Sequence, residues 1–294
     1  MAGGLMPPPS MILAQLPANG GLGCSVHGFV RTTDGTITTF DPKNSQVVWP
    51  LRVNKKGAII GYYEDANFNI YGFFRKPSGK VISLDKQGIK FADGINNRGD
   101  ICGSLQDHQA FFRTSDGIVT EIDPPGAVSS GASAINDDET LSGAFKDAAG
   151  HYHGFIRAAD GNMTSFDVPD STDTYSSDMN ASGTIVGSYA DAAGAFHGYI
   201  RDSAGIFTEF QFSNDQTITE VDALHINDKG YVAGHFRNPA NQQFIAFERK
   251  PTGKMIYLLT DTYSPTAFGI NNHDVIVGGV WGTDNAVQGY FRTP

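Results

Sequence analysis

The chain has few cysteines, few charged residues and no long apolar run, and each shortage excludes a class of protein. Only 2 of the 294 residues are cysteine, Cys24 and Cys102, which argues against a disulfide framework or a cysteine-based metal site. No apolar segment approaches the roughly 20 residues that a membrane-spanning helix needs. Lysine and arginine are scattered and the formal net charge is −10, which argues against a nucleic-acid partner. We therefore expect a soluble protein without membrane insertion.

The sequence also lacks the short motifs of common catalytic and cofactor sites. It contains no G-x-S-x-G elbow, Walker loop, H-E-x-x-H helix or dinucleotide fingerprint, and no segment has the dense oxygen-ligand spacing of an EF-hand. We expect no cofactor and no metal. The first 16 residues contain no lysine or arginine, so no good signal peptide is visible. On that ground the protein is either intracellular or a chain that begins after a cleavage site.

What the sequence does contain is a β-rich repeat. Segments such as GFVR, GFIR and GYFR recur at intervals of 38 to 48 residues and end at Arg31, Arg75, Arg113, Arg157, Arg201, Arg249 and Arg292. A glycine follows four residues after each of the first six arginines, as a tight hairpin turn requires, and a second strand such as TITTF comes next. Between these hairpins, an asparagine precedes a glycine by seven residues at Asn54, Asn96, Asn136, Asn180, Asn227 and Asn271. This second pattern predicts an inner strand, a tight turn and another strand.

Each unit is thus predicted to hold four antiparallel strands, a to d, and radial repetition of such sheets limits exposed edges. The chain begins with strands c and d and ends with a, b and c, which favours a ring closed by joining its terminal strands over an open solenoid. We predict an all-β, six-bladed β-propeller over residues 26–294 that is monomeric, after a poorly ordered N-terminal lead of residues 1–25. Seven c strands serve six blades, so either 28–31 or 289–292 is surplus.

Laid out as IN..G.I.G.Y.D..G..HGF.R..DG..T.FD.P, the repeat resembles the HAF-type extracellular repeat family of bacterial proteins. The resemblance covers nearly everything from His27 onward and is best at 153–167, 179–191 and 197–201. Gln211 and Leu259 depart from it, since the motif has aspartate at both places. The resemblance implies a propeller-like repeat fold and a secreted or surface location, but no particular function. The absence of a visible signal peptide keeps a cytoplasmic location open.

Residues that recur in every unit are assigned to the scaffold. Strand register places His27 opposite Asp41 and His153 opposite Asp167, which predicts cross-strand pairs instead of catalytic groups. The repeated arginines are expected to lie over a neighbouring blade. Four aspartates that follow strand-b glycines are expected to cap their own turns, namely Asp65, Asp107, Asp147 and Asp191.

The functional site is predicted on one face of the disc. The a–b and c–d turns emerge on what we call the turn face and are short and uniform, whereas the b–c loops and d–a links emerge on the opposite, loop face and vary. Variable loops on a rigid frame tend to carry function, which favours the central opening of the loop face. The ligand-binding candidates there are Trp49, Tyr62, Tyr63, Phe91, Tyr175, Asp222, His235 and Trp281.

Four polar residues are predicted to lie deeper in the same opening: Arg52, Asp93, Asp178 and His225. Of these, Arg52, Asp178 and His225 are candidate catalytic groups if the protein is an enzyme, because they offer a base and an electrophile. We expect Trp49, Tyr175, His225 and His235 to converge on one opening. The alternative is that the aromatic rings pack between blades and the polar groups line a water-filled channel.

Three functions fit these features. An aromatic-lined pocket with a few polar groups is typical of a site for a small molecule, and binding of such a molecule, a glycan or a peptide is the first hypothesis. The second is a cofactor-independent cyclase, lyase or hydrolase that acts on an aromatic or terpenoid-like substrate in the same pocket, since holding one reactive conformer needs few titratable groups. The third is a purely structural interaction disc.

Overall fold

The computed structural model describes residues 10–11, 14–15, 26–32, 34–210, 212, 220–238, 243–258, 264–281 and 287–294. Apart from one 3₁₀ turn (Asp85–Gln87), every element assigned in these ranges is a strand. In chain order the strands are β1 (Ser10–Met11), β2 (Ala14–Gln15), β3 (Val26–Arg31), β4 (Ile37–Phe40), β5 (Ser45–Val53), β6 (Ile59–Asp65), β7 (Ile70–Arg75), β8 (Val81–Ser83), β9 (Ile89–Ile95), β10 (Ile101–Leu105), β11 (Ala110–Arg113), β12 (Val119–Ile122), β13 (Ser129–Ile135), β14 (Leu141–Lys146), β15 (Tyr152–Arg157), β16 (Met163–Phe166), β17 (Asp173–Met179), β18 (Ile185–Ala190), β19 (Phe196–Arg201), β20 (Phe207–Glu209), β21 (Val221–Ile226), β22 (Val232–Arg237), β23 (Phe244–Arg249), β24 (Met255–Leu258), β25 (Ser264–Ile270), β26 (Ile276–Trp281) and β27 (Val287–Arg292). No helix in the described ranges is long and apolar enough to cross a membrane.

These strands form a six-bladed β-propeller, as the repeat predicts. Blades 1 to 6 are the antiparallel sheets β5–β8, β9–β12, β13–β16, β17–β20, β21–β24 and β25–β27. Their first strands, a, surround a central cavity. Blade 6 holds strands a, b and c in the described residues, and its c strand is β27. The additional c strand is therefore β3.

The N-terminal hairpin β3–β4 lies between blades 6 and 1, where the Arg31 guanidinium is 5.1 Å from the centre of the Phe291 ring of blade 6. β3 forms one parallel bridge with β5, at Val26 and Val47. The Phe40 ring of β4 packs edge-on against Phe73 of blade 1, with 5.8 Å between ring centres. Phe210, which directly follows the d strand of blade 4, packs edge-on against Phe247 of blade 5 in the same way, with 6.0 Å between ring centres. Of the predicted N-terminal lead, β1 and β2 pair with β3, and the other residues lie outside the described ranges.

Every strand a carries a β-bulge at the same place, which a glycine on strand b makes possible. In blade 4, Ser176 pairs with Gly187 and Asp178 with Val186, so Ser177 is the extra residue. A Cβ on Gly187 would lie 1.9 Å from the carbonyl oxygen of Tyr175, so only glycine fits beneath the bulge. The extra residues of the six blades are Leu51, Asp93, Ser133, Ser177, Leu224 and Phe268.

The repeated asparagines join neighbouring blades. The Asn54 Oδ1 atom accepts the N–H groups of Lys56 and Ala58, which closes the turn, and its Nδ2 atom donates to the carbonyl oxygen of Asn96 in blade 2 at 2.9 Å. Equivalent interblade bonds run from Asn96 to Asn136, from Asn180 to Asn227 and from Asn227 to Asn271. We call this set the asparagine ladder. The sequence pattern predicts the turns but gives no sign of the ladder.

Two of the predicted histidine–aspartate pairs and four of the repeated arginines have the contacts that the sequence predicts. His27 Nδ1 lies 2.9 Å from Asp41 Oδ2, and His153 Nδ1 lies 2.9 Å from Asp167 Oδ1. Repeated arginines place their guanidinium groups over aromatic rings of the preceding unit, where cation and ring attract each other. These contacts are Arg75 over Phe40, Arg157 over Phe112, Arg201 over Phe166 and Arg249 over Phe210.

Candidate functional site

Two cavities lie among the inner strands. The central cavity has a volume of about 580 Å³ and is lined by the last residues of all six strands a and by their a–b turns, so it belongs to the turn face. The side cavity has a volume of about 340 Å³ and is lined by the first halves of strands a in blades 2, 3 and 4, together with the ends of strands b. The side cavity therefore lies on the loop face, where the sequence predicts the site.

The side cavity exists because blade 3 lacks side chains that other blades have. Gly131 of strand a pairs with Ala144 of strand b. The equivalent pairs in the other blades are Trp49 with Tyr62, Phe91 with Ser104, Tyr175 with Ser188, Asp222 with His235 and Thr266 with Gly279. Blade 3 thus replaces a large ring by hydrogen at this position, which leaves a space between the rings of its two neighbours.

Aromatic rings form the walls of the side cavity. Tyr175 of blade 4 packs against Tyr152, with 4.8 Å between ring centres, and both line the cavity. On the opposite side, Phe91 of blade 2 meets Tyr62 edge-on at 5.0 Å. The Lys90 Nζ atom lies 5.4 Å from the centre of the Phe91 ring. The walls therefore present ring faces and edges held in place by neighbouring aromatic groups.

Asp93, Ser104 and Ser129 line the side cavity, and their side chains have no hydrogen-bond partner among the described residues. In contrast, Ser133 and Ser176 donate to groups of the protein itself. Asp93 is the extra residue of its β-bulge, and burial raises the pKa of its carboxyl group to about 7, although the Arg52 guanidinium opposes this rise. The cavity thus combines aromatic walls with an acid that changes charge near neutral pH.

A polar cluster lines the central cavity at one repeat position, two residues before each ladder asparagine. That position holds Arg52 in blade 1, Asp178 in blade 4 and His225 in blade 5, and small residues in the other blades, namely Gly94, Ala134 and Gly269. The three polar side chains are 14 to 20 % exposed. Arg52 reaches across the cavity from blade 1 to blades 4 and 5.

The three polar groups satisfy one another. Arg52 Nη2 lies 3.5 Å from Asp178 Oδ1, and Arg52 Nη1 contacts the His225 ring, with 3.1 Å to Nε2. His225 Nδ1 lies 3.4 Å from Asp178 Oδ2. Arg52 Nη1 also contacts His225 Nδ1, so the guanidinium meets both ring nitrogens, and because arginine can only donate, the imidazole accepts a hydrogen bond from it. Burial raises the pKa of Asp178, and Arg52 and two backbone N–H groups counteract the rise. The cluster joins three blades across the axis.

The predicted ligand-binding residues do not converge on one opening. Trp49 stacks on Tyr62, its cross-strand partner in blade 1, with 6.3 Å between ring centres, whereas Tyr175 lines the side cavity and His225 the central cavity. His235 packs edge-on against Phe244 at 5.1 Å, and burial lowers its pKa to about 4.

The remaining candidates take other positions. Tyr63 is 5 % exposed in the core of blade 1, and its hydroxyl group lies 2.9 Å from Ser83 Oγ. The side chains of Asp222 and Trp281 lie outside what the structure describes. The predicted single pocket is thus replaced by two cavities, because strand positions that are near in sequence face different spaces. Only Phe91 and Tyr175 of the predicted ligand-binding set line the side cavity.

Several residues of the side cavity are not predicted from the sequence, because the prediction selects residues that are larger or more polar than their equivalents in other units. Gly131 and Ala144 contribute to the cavity because they have no large side chain. Tyr152, Ser104 and Ser129 occupy strand positions that do not depart from the repeat. A signal was present nonetheless, since Gly131 stands where Trp49, Phe91 and Tyr175 stand in three other units.

No family model and no curated protein matches the chain. Several solved structures share its fold. A streptogramin B lyase aligns over 99% of this chain and 96% of its own, with a TM-score of 0.59 and 14% identity. TolB from Acinetobacter baumannii aligns over 84% and 62%, with a TM-score of 0.60 and 13% identity. A puromycin hydrolase aligns over 97% and 53%, with a TM-score of 0.57 and 13% identity, so the alignment spans less than two thirds of the last two proteins. At these identities the similarity shows the propeller fold alone.

Proposed function

We propose that the protein binds a small organic molecule, or the end of a glycan or peptide, in the side cavity. The observation that carries this proposal is the Gly131–Ala144 pair, which opens a space between aromatic rings at a position where other blades are filled. The volume of about 340 Å³ lies in the range of about 300–1,000 Å³ that is typical of small-molecule sites.

The lining indicates how a ligand is held. A flat apolar face stacks on Tyr175 or Phe91, which are fixed by Tyr152 and Tyr62 and lose little freedom on binding. Polar substituents of the ligand bond to Asp93, Ser104 and Ser129, which have no partners among the described residues. These three side chains are half-buried, so a ligand that hydrogen-bonds to them is held in one orientation in the cavity.

The test fills each cavity in turn. Gly131→Phe places a ring where Phe91 supplies one in blade 2, and a Cβ added at Gly131 would lie 2.9 Å from Ser104 Oγ, the end of a side chain that can rotate away. Gly269→Leu is the matched control, because it fills the central cavity and its Cβ has no neighbour closer than 3.4 Å. Both variants and the parent are screened by saturation-transfer NMR against a panel of monosaccharides, amino sugars, short peptides and aromatic compounds.

We expect a set of ligands that bind the parent and Gly269→Leu but not Gly131→Phe. If every ligand of the parent still binds to Gly131→Phe, the proposal is contradicted. Loss of binding in Gly269→Leu alone would move the site to the central cavity.

An enzymatic function is a second candidate, favoured by one observation. Asp93 has a pKa of about 7 in the side cavity, which suits proton transfer at neutral pH. The predicted catalytic set is less suited, since both ring nitrogens of His225 contact Arg52 or Asp178. The fold shared with a lyase and a hydrolase is an analogy of scaffold only.

Mass spectrometry of each bound compound after prolonged incubation separates the two functions. Product formation that Asp93→Asn abolishes while binding persists would identify a cofactor-independent cyclase, lyase or hydrolase. Unchanged compounds throughout are the expected result for a binding protein.

A further inference from the structure

We infer that the ligand of the side cavity carries a protonated amine, which pairs with the Asp93 carboxylate and lies against the neighbouring aromatic rings. This inference rests on the proposed function of the side cavity. It narrows the ligand to molecules with a basic amine, such as amino sugars, arylalkylamines or the N-terminus of a peptide.

The first observation is a carboxyl group without a counter-ion. Asp93 has no ion pair or hydrogen bond among the described residues. The nearest guanidinium, that of Arg52, is bound to Asp178, His225 and the Ser177 carbonyl oxygen on the central-cavity side. Asp93 is half-buried, and the loss of water around a carboxylate without a paired cation disfavours its ionised form, so burial raises its pKa to about 7. A cationic ligand supplies the missing partner.

The second observation is the arrangement of rings around this carboxyl group. Phe91, Tyr152 and Tyr175 line the same cavity, and ring faces attract ammonium groups. The protein already provides an example, since the Lys90 ammonium lies 5.4 Å from the centre of the Phe91 ring and has no carboxylate partner among the described residues. A ligand amine therefore competes with the Lys90 ammonium for the Phe91 ring, and it can also form an ion pair with Asp93.

The groups around Asp93 set how binding depends on pH. Arg52 on β5 favours its ionised form. Burial raises the pKa values of the Tyr62 phenol on β6 and the Cys102 thiol on β10, so both stay neutral at neutral pH. Asp178 on β17 is paired with Arg52. The cavity also contains Lys90 and His108. A group with a pKa of about 7 is about tenfold more ionised at pH 8 than at pH 6, so amine affinity should rise about tenfold over that interval.

The experiment compares compounds of equal shape and different charge. Dissociation constants are measured by NMR titration for 2-phenylethylamine against 2-phenylethanol, with the parent and the variants Asp93→Asn, Lys90→Met and Gly131→Phe. We expect the amine to bind at least tenfold more tightly than its alcohol at pH 8. Asp93→Asn should remove this preference, and Lys90→Met, which keeps the stem but not the competing charge, should increase amine affinity severalfold. The pH series repeated in Asp93→Asn separates the contribution of His108.

The outcomes distinguish this inference from the proposal beneath it. If the alcohol binds as tightly as the amine, and only Gly131→Phe abolishes binding, the amine assignment is overturned and the side cavity remains the site. Weaker amine binding in Lys90→Met, or an amine affinity that Asp93→Asn does not change, would overturn it as well. If no compound loses binding in Gly131→Phe, the proposed function itself fails.

Discussion

Replacement of Asn54 by alanine should destabilise the propeller more than the same replacement of Asn136. Both side chains accept two backbone N–H groups, from the residues two and four positions later, each at 3.0 Å. Asn54 also donates its Nδ2 to blade 2, whereas the Asn136 amide has no acceptor in the described part of the chain. The two variants therefore differ by one interblade hydrogen bond, in turns of the same design.

The size of the difference follows from these bonds. A typical intramolecular hydrogen bond contributes about 1 kcal/mol net, so Asn54→Ala loses about 3 kcal/mol and Asn136→Ala about 2 kcal/mol. The N–H group left behind by Asn54→Ala belongs to Ala58, which is 4 % exposed, and an orphaned buried donor costs about 1–3 kcal/mol more. Its counterpart in blade 3 belongs to the half-buried Thr140 and can reach water.

Urea unfolding followed by far-ultraviolet circular dichroism measures this difference. Asn54→Ala should have the lower midpoint of the two variants, with both slopes equal to that of the parent, because the slope reports the surface exposed on unfolding. Equal midpoints, or a lower midpoint for Asn136→Ala, would show that the ladder bonds do not stabilise the ring.

Three further predictions concern the bulges and the buried charges. Gly187→Ala should cost about 3 kcal/mol or more because its Cβ would lie 1.9 Å from a carbonyl oxygen, while Gly269→Ala, with its nearest contact at 3.4 Å, should unfold near the parental urea midpoint. Arg52→Met should raise the pKa of Asp178 further, so the melting temperature of this variant, relative to the parent, should fall more at pH 8 than at pH 5. The double variant Arg52→Met/Asp178→Asn should recover part of that loss, because it no longer buries an unpaired carboxylate. Asp93→Asn should gain stability relative to the parent between pH 4 and 7, because the carboxyl pKa is about 7 when folded and near 3.8 when unfolded; a pH-independent difference in melting temperature would contradict this.

The fold is predictable from the sequence because the same pattern of strands and turns recurs in six units. His153 and Asp167 can be paired in advance, since a short turn fixes the register of the hairpin between them. The β-bulge is harder to foresee, because the glycine opposite it looks like any glycine in a strand. Without the bulge, Asp93 is grouped with Arg52, Asp178 and His225, although it stands one repeat position earlier and lines a different cavity.

The site is only partly predictable, for a reason that lies in the propeller itself. The inner strands of a six-bladed ring are close together, and rings such as Tyr62 of blade 1 and Phe91 of blade 2 fill the space between blades. Between such closely spaced strands, a large residue that departs from the repeat usually packs against its neighbours, whereas a small residue leaves a cavity. The paired Gly131 and Ala144 remove side chains from adjacent strands at once, so their spaces join into a single cavity. In a closed repeat fold, ligand sites are therefore better sought where the repeat loses side chains, and the surrounding residues then indicate the ligand.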